Sequence, residues 1–190
     1  MPSAFDVLAR DHEEVLRMLA ELERGPVAAT GADPGQLALR KKMVQQLVIE
    51  ESGHEAAEEM YFWPAVREHL EDGTDLANQA GDQEQEGKEV LARLDKLAPE
   101  DEEFEARLTQ FTSAARAHIA FEETTVWPSL QSALTGEEAA ILGHQLTEAK
   151  KNAPTRPHPK TPASPGLLKA AGPAIAATDR LRDAATGRDE

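Results

Sequence analysis

The chain has 190 residues, 40% of them hydrophobic, which is enough for one full core with an appendage. It contains no cysteine, which excludes disulfides, thiolate metal sites, iron–sulfur clusters and cysteine nucleophiles and implies a reducing, cytoplasmic compartment. Acidic side chains outnumber basic ones 35 to 20, the wrong sign for coating nucleic acid or an anionic membrane, and no apolar run is long enough to span a bilayer.

Ser3, followed three positions on by Asp6, reads as a helix start, and Phe5, Leu8, His12, Val15, Leu19 and Leu22 then recur at helical spacing until Gly25-Pro26. Asp33-Pro34 has the chemistry to open a second helix. Its inward stripe is Leu37, Val44, Leu47, Glu51, His54, Glu58, Tyr61 and Ala65, it ends before Gly73, and Pro64 predicts a bend. Asp75 is the expected cap of a third helix with Ala80, Glu84, Gly87, Val90, Leu94 and Leu97 on its inner side, stopping at Pro99. The acidic run from Glu100 to Glu103 opens a fourth, marked by Phe104, Leu108, Phe111, Ala115, His118, Glu122 and Thr125, with Pro128 late in it.

Four helices with short connections predict an all-α, antiparallel up-and-down four-helix bundle. An extra short helix is expected from about Gly136 to Lys150. Asn152 to Gly166 holds five prolines and reads as extended linker, and residues 167–182 have the pattern of a small amphipathic helix. Residues 1–150 carry 31 acidic and 13 basic side chains, whereas residues 151–190 carry 4 and 7. The expected division is therefore a bundle over 1–151 and a proline-rich linker and tail over 152–190.

The chain is internally duplicated. His54 to Pro64 and His118 to Pro128 both read His-x-Ala-x-Glu-Glu-x-x-x-Trp-Pro, and Glu14-Val15-Leu16 parallels Glu89-Val90-Leu91. A His and a Glu four apart lie one above the other on a helix face, so imidazole and carboxylate can converge on one ion. Two such faces across a core present His54, Glu58, His118 and Glu122 to a shared space, and His12 aims at the same place from the first helix. A single His-x-x-x-Glu is more often a surface pair. Two copies on core stripes instead require a cation, because unpaired buried carboxylates each cost several kcal/mol. Nitrogen and oxygen donors without sulfur suit iron or manganese, although affinity alone does not exclude zinc.

These motifs resemble the hemerythrin-like, or HHE cation-binding, domains, over roughly Ser3 to Leu134. The resemblance implies two irons bridged by carboxylates and by an oxo or hydroxo group. It further implies that His12, His54, Glu58, His118 and Glu122 are ligands, with the two glutamates as the bridges. One position departs from the pattern: Gly87 stands where the family's helix-three histidine is expected. Glu84, one turn earlier on the same face, is the first candidate to replace it, with Glu86 less well placed; Glu51, one turn before His54, and His158, reaching in from the tail, are the others. Glu59 and Glu123 lie about 100° further round their helices, where solvated or supporting roles fit better. Trp63 and Trp127 read as packing at the bundle end.

The resemblance leads to an iron protein that binds or reacts with oxygen, peroxide or nitric oxide, handling or sensing oxidants. A non-catalytic iron-binding or iron-sensing module is the alternative, and whether the protein is an enzyme stays open.

Overall fold

The structure, a computed structural model, describes residues 1–160 and 165–186. Helix α1 (Ala4–Arg24) opens on a reciprocal cap, in which Asp6 donates its backbone N–H to Ser3 Oγ at 3.2 Å and Ser3 N–H donates to Asp6 Oδ2 at 2.8 Å. Helix α2 (Pro34–Ala57) begins the same way on Asp33 and Gln36, with Pro34 in the first turn, where its missing N–H costs nothing.

The second rod does not simply bend at Pro64. It passes through a π-helical turn, Glu58–Phe62, before continuing as α3 (Trp63–His69), and Trp63 donates its backbone N–H to the carbonyl of Glu58, five residues back. A proline ring collides with the carbonyl four residues before it, and widening the turn by one residue relieves that collision. The fourth rod repeats the device. Helix α5 (Glu102–Phe121) leads into a π-turn, Glu122–Val126, then α6 (Trp127–Ala133), with Trp127 N–H on the Glu122 carbonyl.

Helix α4 (Gly73–Leu94) starts two residues before the predicted Asp75 cap, and Asp72 stands at the cap position without a side-chain bond. The corner with α3 is the reason: a Cβ at Gly73 would lie 2.0 Å from the Val66 carbonyl oxygen, so only glycine allows the helix to begin there. Asp75 becomes a first-turn acid facing the positive end of the helix dipole. The helix also stops earlier than Pro99, and Lys41 Nζ donates to the carbonyls of Asp95 and Leu97, each at 2.8 Å.

Helix α7 (Gly136–Lys151) lies against α1 and α2. It comes so near the start of α1 that a Cβ at Gly143 would sit 2.5 Å from the Pro2 carbonyl oxygen. Helix α8 (Pro165–Thr186) spans the predicted tail helix, and residues 161–164 of the proline-rich stretch lie outside the described residues. The tail docks on the body. Gly172, Ala176, Asp179 and Asp183 are buried along one face of α8. Arg156 bridges Asp183 at 2.5 Å and Asp95 at 3.4 Å, and Gln85 Nε2 donates to the Pro159 carbonyl at 3.0 Å.

Most of the apolar core falls into two separate halves, beside a small third cluster of Ala56, Met60 and Ala153. One gathers Phe5, Leu8, Phe62, Val66 and Leu130; the other gathers Val15, Leu19, Leu47, Leu91 and Phe111. Between Leu8 and Val15, Val48 and Ala57, Ala80 and Val90, and Ile119 and Val126, the four rods carry a buried polar layer in place of hydrocarbon. Among the described residues there is no strand, and no helix is long and apolar enough to cross a membrane.

Candidate metal centre

Each rod contributes to that polar layer. α1 supplies His12, α2 supplies His54, α4 supplies Glu84 and α5 supplies His118, while Glu58 and Glu122 begin the two π-turns. One ligand atom each from His12, His54, Glu58 and Glu122 lies within 4.8 Å of all the others, and Glu58, Glu84 and His118 form a second such set. Glu58 is common to both. Glu122 also reaches both ways, with Oε2 3.0 Å from His12 Nε2 and Oε1 3.3 Å from His118 Nε2, while Glu58 Oε2 lies 3.2 Å from His54 Nε2.

These close approaches are not satisfied hydrogen bonds. His12 Nε2, His118 Nε2, Glu84 Oε2 and both carboxylate oxygens of Glu58 and of Glu122 are buried with no hydrogen-bond partner. Leaving so many polar atoms unpaired in a packed core costs several kcal/mol, and a cation at their common focus removes that cost. The donor set, imidazole nitrogen and carboxylate oxygen, fits iron or manganese.

The other nitrogen of every imidazole is held by an oxygen. His12 Nδ1 bonds to Glu123 Oε1 at 2.8 Å, His54 Nδ1 to Asp11 Oδ2 at 3.4 Å, and His118 Nδ1 to Gln83 Oε1 at 2.9 Å. An acceptor at Nδ1 keeps the proton there and turns the Nε2 lone pair inward, the tautomer a metal ligand needs. Asp11 is fixed in turn by Lys150 of α7, at 2.5 Å. The two tryptophans do more than fill the bundle end: Trp63 donates its indole N–H to Glu84 at 2.5 Å, and Trp127 stacks on His12 at a centroid distance of 5.1 Å.

Electrostatics reflect the crowding of acids. Burial, reinforced by Glu122 and Glu84, pushes Glu58 well above the usual carboxylate range, and burial raises Glu84 to about 8. Burial acts on Glu122 in the same direction, but its contacts with His118 and His12 outweigh that and hold it below the ordinary value. His118 moves up to about 9, because Glu122 and its neighbours overcome the effect of burial.

The remaining candidates fall outside the two sets. Glu86 is exposed on the outer side of α4, as its angular position dictates. His158 bonds to Asp179 of α8 at 2.8 Å and is committed to holding the tail. Glu51 is buried one turn before His54, with burial raising it to about 7, but it joins neither set. The space beside Gly87 holds Glu55, whose Oε1 would lie 3.7 Å from a Cβ at that position. Sequence reasoning did not assign Asp11, Gln83 or Lys88. Asp11 and Gln83 directly precede candidate ligands, which was the available signal, whereas nothing but its spacing from Glu84 marked Lys88.

The sequence pattern of the hemerythrin HHE cation binding domain matches residues 3–130. The chain belongs to this family. An uncharacterized hemerythrin-like protein of Schizosaccharomyces pombe is 30% identical over 139 residues, covering 73% of this chain and 68% of that protein. A DNA nickase of Nostoc is 24% identical over 145 residues; the match takes in 76% of this chain but only 38% of the nickase. The crystal structure of a hemerythrin HHE cation binding domain-containing protein from Mycobacterium kansasii superposes with a TM-score of 0.66 at 19% identity. That superposition covers 94% of this chain and 99% of that one, and it establishes the shared helical fold. Domains of this hemerythrin-like family bind cations, and the buried His/Glu layer is where this chain can hold them.

Proposed function

We propose that the protein is a cytoplasmic non-haem iron protein whose polar layer holds two irons and whose task is to bind or react with oxygen, peroxide or nitric oxide. The observation that carries this reading is the sharing of Glu58 between two ligand sets, with Glu122 reaching from His12 to His118. Carboxylates placed between two donor sets would hold a pair of ions, and a single ion would leave one set unpaired.

Held by these residues, an iron pair would supply the redox electrons for reaction with a small oxidant. The chain's own residues do the rest. Asp11, Glu123 and Gln83 fix the imidazole tautomers, Trp63 orients Glu84, and the two halves of the apolar core keep bulk water from the layer. Three histidines and three carboxylates make an anionic set that favours the higher oxidation states of iron, which supports reaction with oxidants over simple reversible carriage.

Iron-loaded protein is expected to show visible bands that change with reduction and with peroxide, and to evolve oxygen from peroxide, with His54→Ala abolishing both. Silent iron that only raises the melting temperature would instead favour the non-catalytic reading, in which occupancy of the buried carboxylates serves to stabilise the bundle.

A further inference from the structure

One buried charged cluster lies beside the ligand sets without belonging to them. Lys88, one turn after Glu84 on α4, bonds to Glu59 and sits 3.8 Å from an oxygen of Glu55 and 3.8 Å from Glu84 Oε2. Its side chain is only 14% exposed, and Pro154, Pro157, His158 and Ile175 of the tail line the cavity against it. A lysine on a helix surface normally keeps its ammonium in water. This one is enclosed with three carboxylates, next in the chain to Gly87, the position where the family pattern expects a helix-three histidine.

The two ligand sets differ in just this respect. The set of His12, His54, Glu58 and Glu122 has two imidazoles, and among the described residues no lysine or arginine pairs with any member. The set of Glu58, Glu84 and His118 has one imidazole, and its carboxylate Glu84 already faces an ammonium. A cation arriving at Glu84 meets like charge in a site where water screens little, while a cation arriving at the other set does not.

We propose that Lys88 is a resident cation that competes with the second metal ion for Glu84, so that the two positions fill in order and the second is held more weakly and lost first. The inference rests on the metal centre proposed above. Lys88 has Glu55 and Glu59 as alternative partners on a flexible stem, so it moderates the second position without closing it.

The test is an anaerobic titration of the metal-free full chain with ferrous ion, followed by calorimetry and native mass spectrometry. The wild type takes up two ions in separate steps, the second at least tenfold weaker. Lys88→Met keeps the bulk of the side chain and removes its charge, so the second step tightens at least tenfold while the first moves less than threefold. Glu59→Gln removes the ammonium's bonded partner and turns it toward Glu84, so the second step weakens; this variant carries the test alone if Lys88→Met does not fold. Equal steps in the wild type, or a gap that neither variant moves, overturn the role of Lys88 while leaving the centre intact. A wild-type chain that takes up no ion overturns the centre itself, and the ordering with it.

Discussion

Glu58 and Glu122 are copies of one position in a duplicated hairpin, and their carboxylates meet within 4.8 Å in the middle of the bundle, each at the start of a π-turn. Because Glu58 serves both ligand sets and Glu84 only one, the two are not equivalent. Glu58→Ala is expected to lower metal retention at both positions, by roughly 100-fold in affinity, whereas Glu84→Ala leaves the four-residue set able to keep a single ion. Metal analysis after desalting distinguishes the two variants.

The oxygens on the outer imidazole nitrogens predict a graded effect. Gln83→Ala frees His118 Nδ1, and Asp11→Ala frees His54 Nδ1 and also cuts the contact with Lys150. Each loss should weaken metal binding by roughly 10- to 100-fold, measured by competition with a chelator. Asp11→Ala should also lower the melting temperature of the metal-free protein, and Gln83→Ala should leave it nearly unchanged.

Stability of the metal-free protein should fall as pH rises, the reverse of the usual acid sensitivity. Burial raises Glu84 and Glu55 to about 8 and Glu51 to about 7, from 4.5. A carboxyl raised in the folded state contributes fully below 4.5 and loses that contribution as pH climbs through its folded value. His118, raised to about 9, acts in the same direction, and His54, lowered by burial, opposes it. Denaturant titrations at pH 5 and pH 8.5 should differ by about 3 kcal/mol or more in the metal-free form. The loaded form should show the opposite trend, since cations displace those protons.

Gly87 offers a test of packing. A Cβ there meets only Glu55 Oε1 at 3.7 Å and Phe111 at 3.9 Å, ordinary contact distances, so Gly87→Ala should stabilise α4 by roughly 0.5–1 kcal/mol. Gly143→Ala, which drives a methyl to 2.5 Å from the Pro2 carbonyl, should destabilise by more than about 2 kcal/mol. Thermal melts of the two variants should move in opposite directions.

The bundle was legible because its rods bury periodic stripes, and the duplicated His-x-x-x-Glu-Glu pointed to the polar layer because buried charges demand a counterpart. What stayed hidden depended on contacts between distant segments. Asp75 carries a cap's chemistry, yet the close approach of Gly73 to Val66 sets where α4 begins. Pro64 and Pro128 announced a disturbance, but a kink and a π-turn share one sequence signal. Lys88 carries no mark of its surroundings in the sequence, because the tail that covers it comes from far along the chain.

The π-turns give each half of the duplication one residue more than a regular helix needs. Deleting that surplus, for instance Thr124, would let the rod close with regular α-helical bonds and leave Trp127 in nearly the same register, because the wide turn absorbs its extra residue locally. What returns is the collision of the Pro128 ring with the carbonyl four positions back. The surplus residue is thus what lets a proline follow so soon after Glu122 in an unbroken rod: a shortened chain keeps its register and acquires a kink just beyond that glutamate.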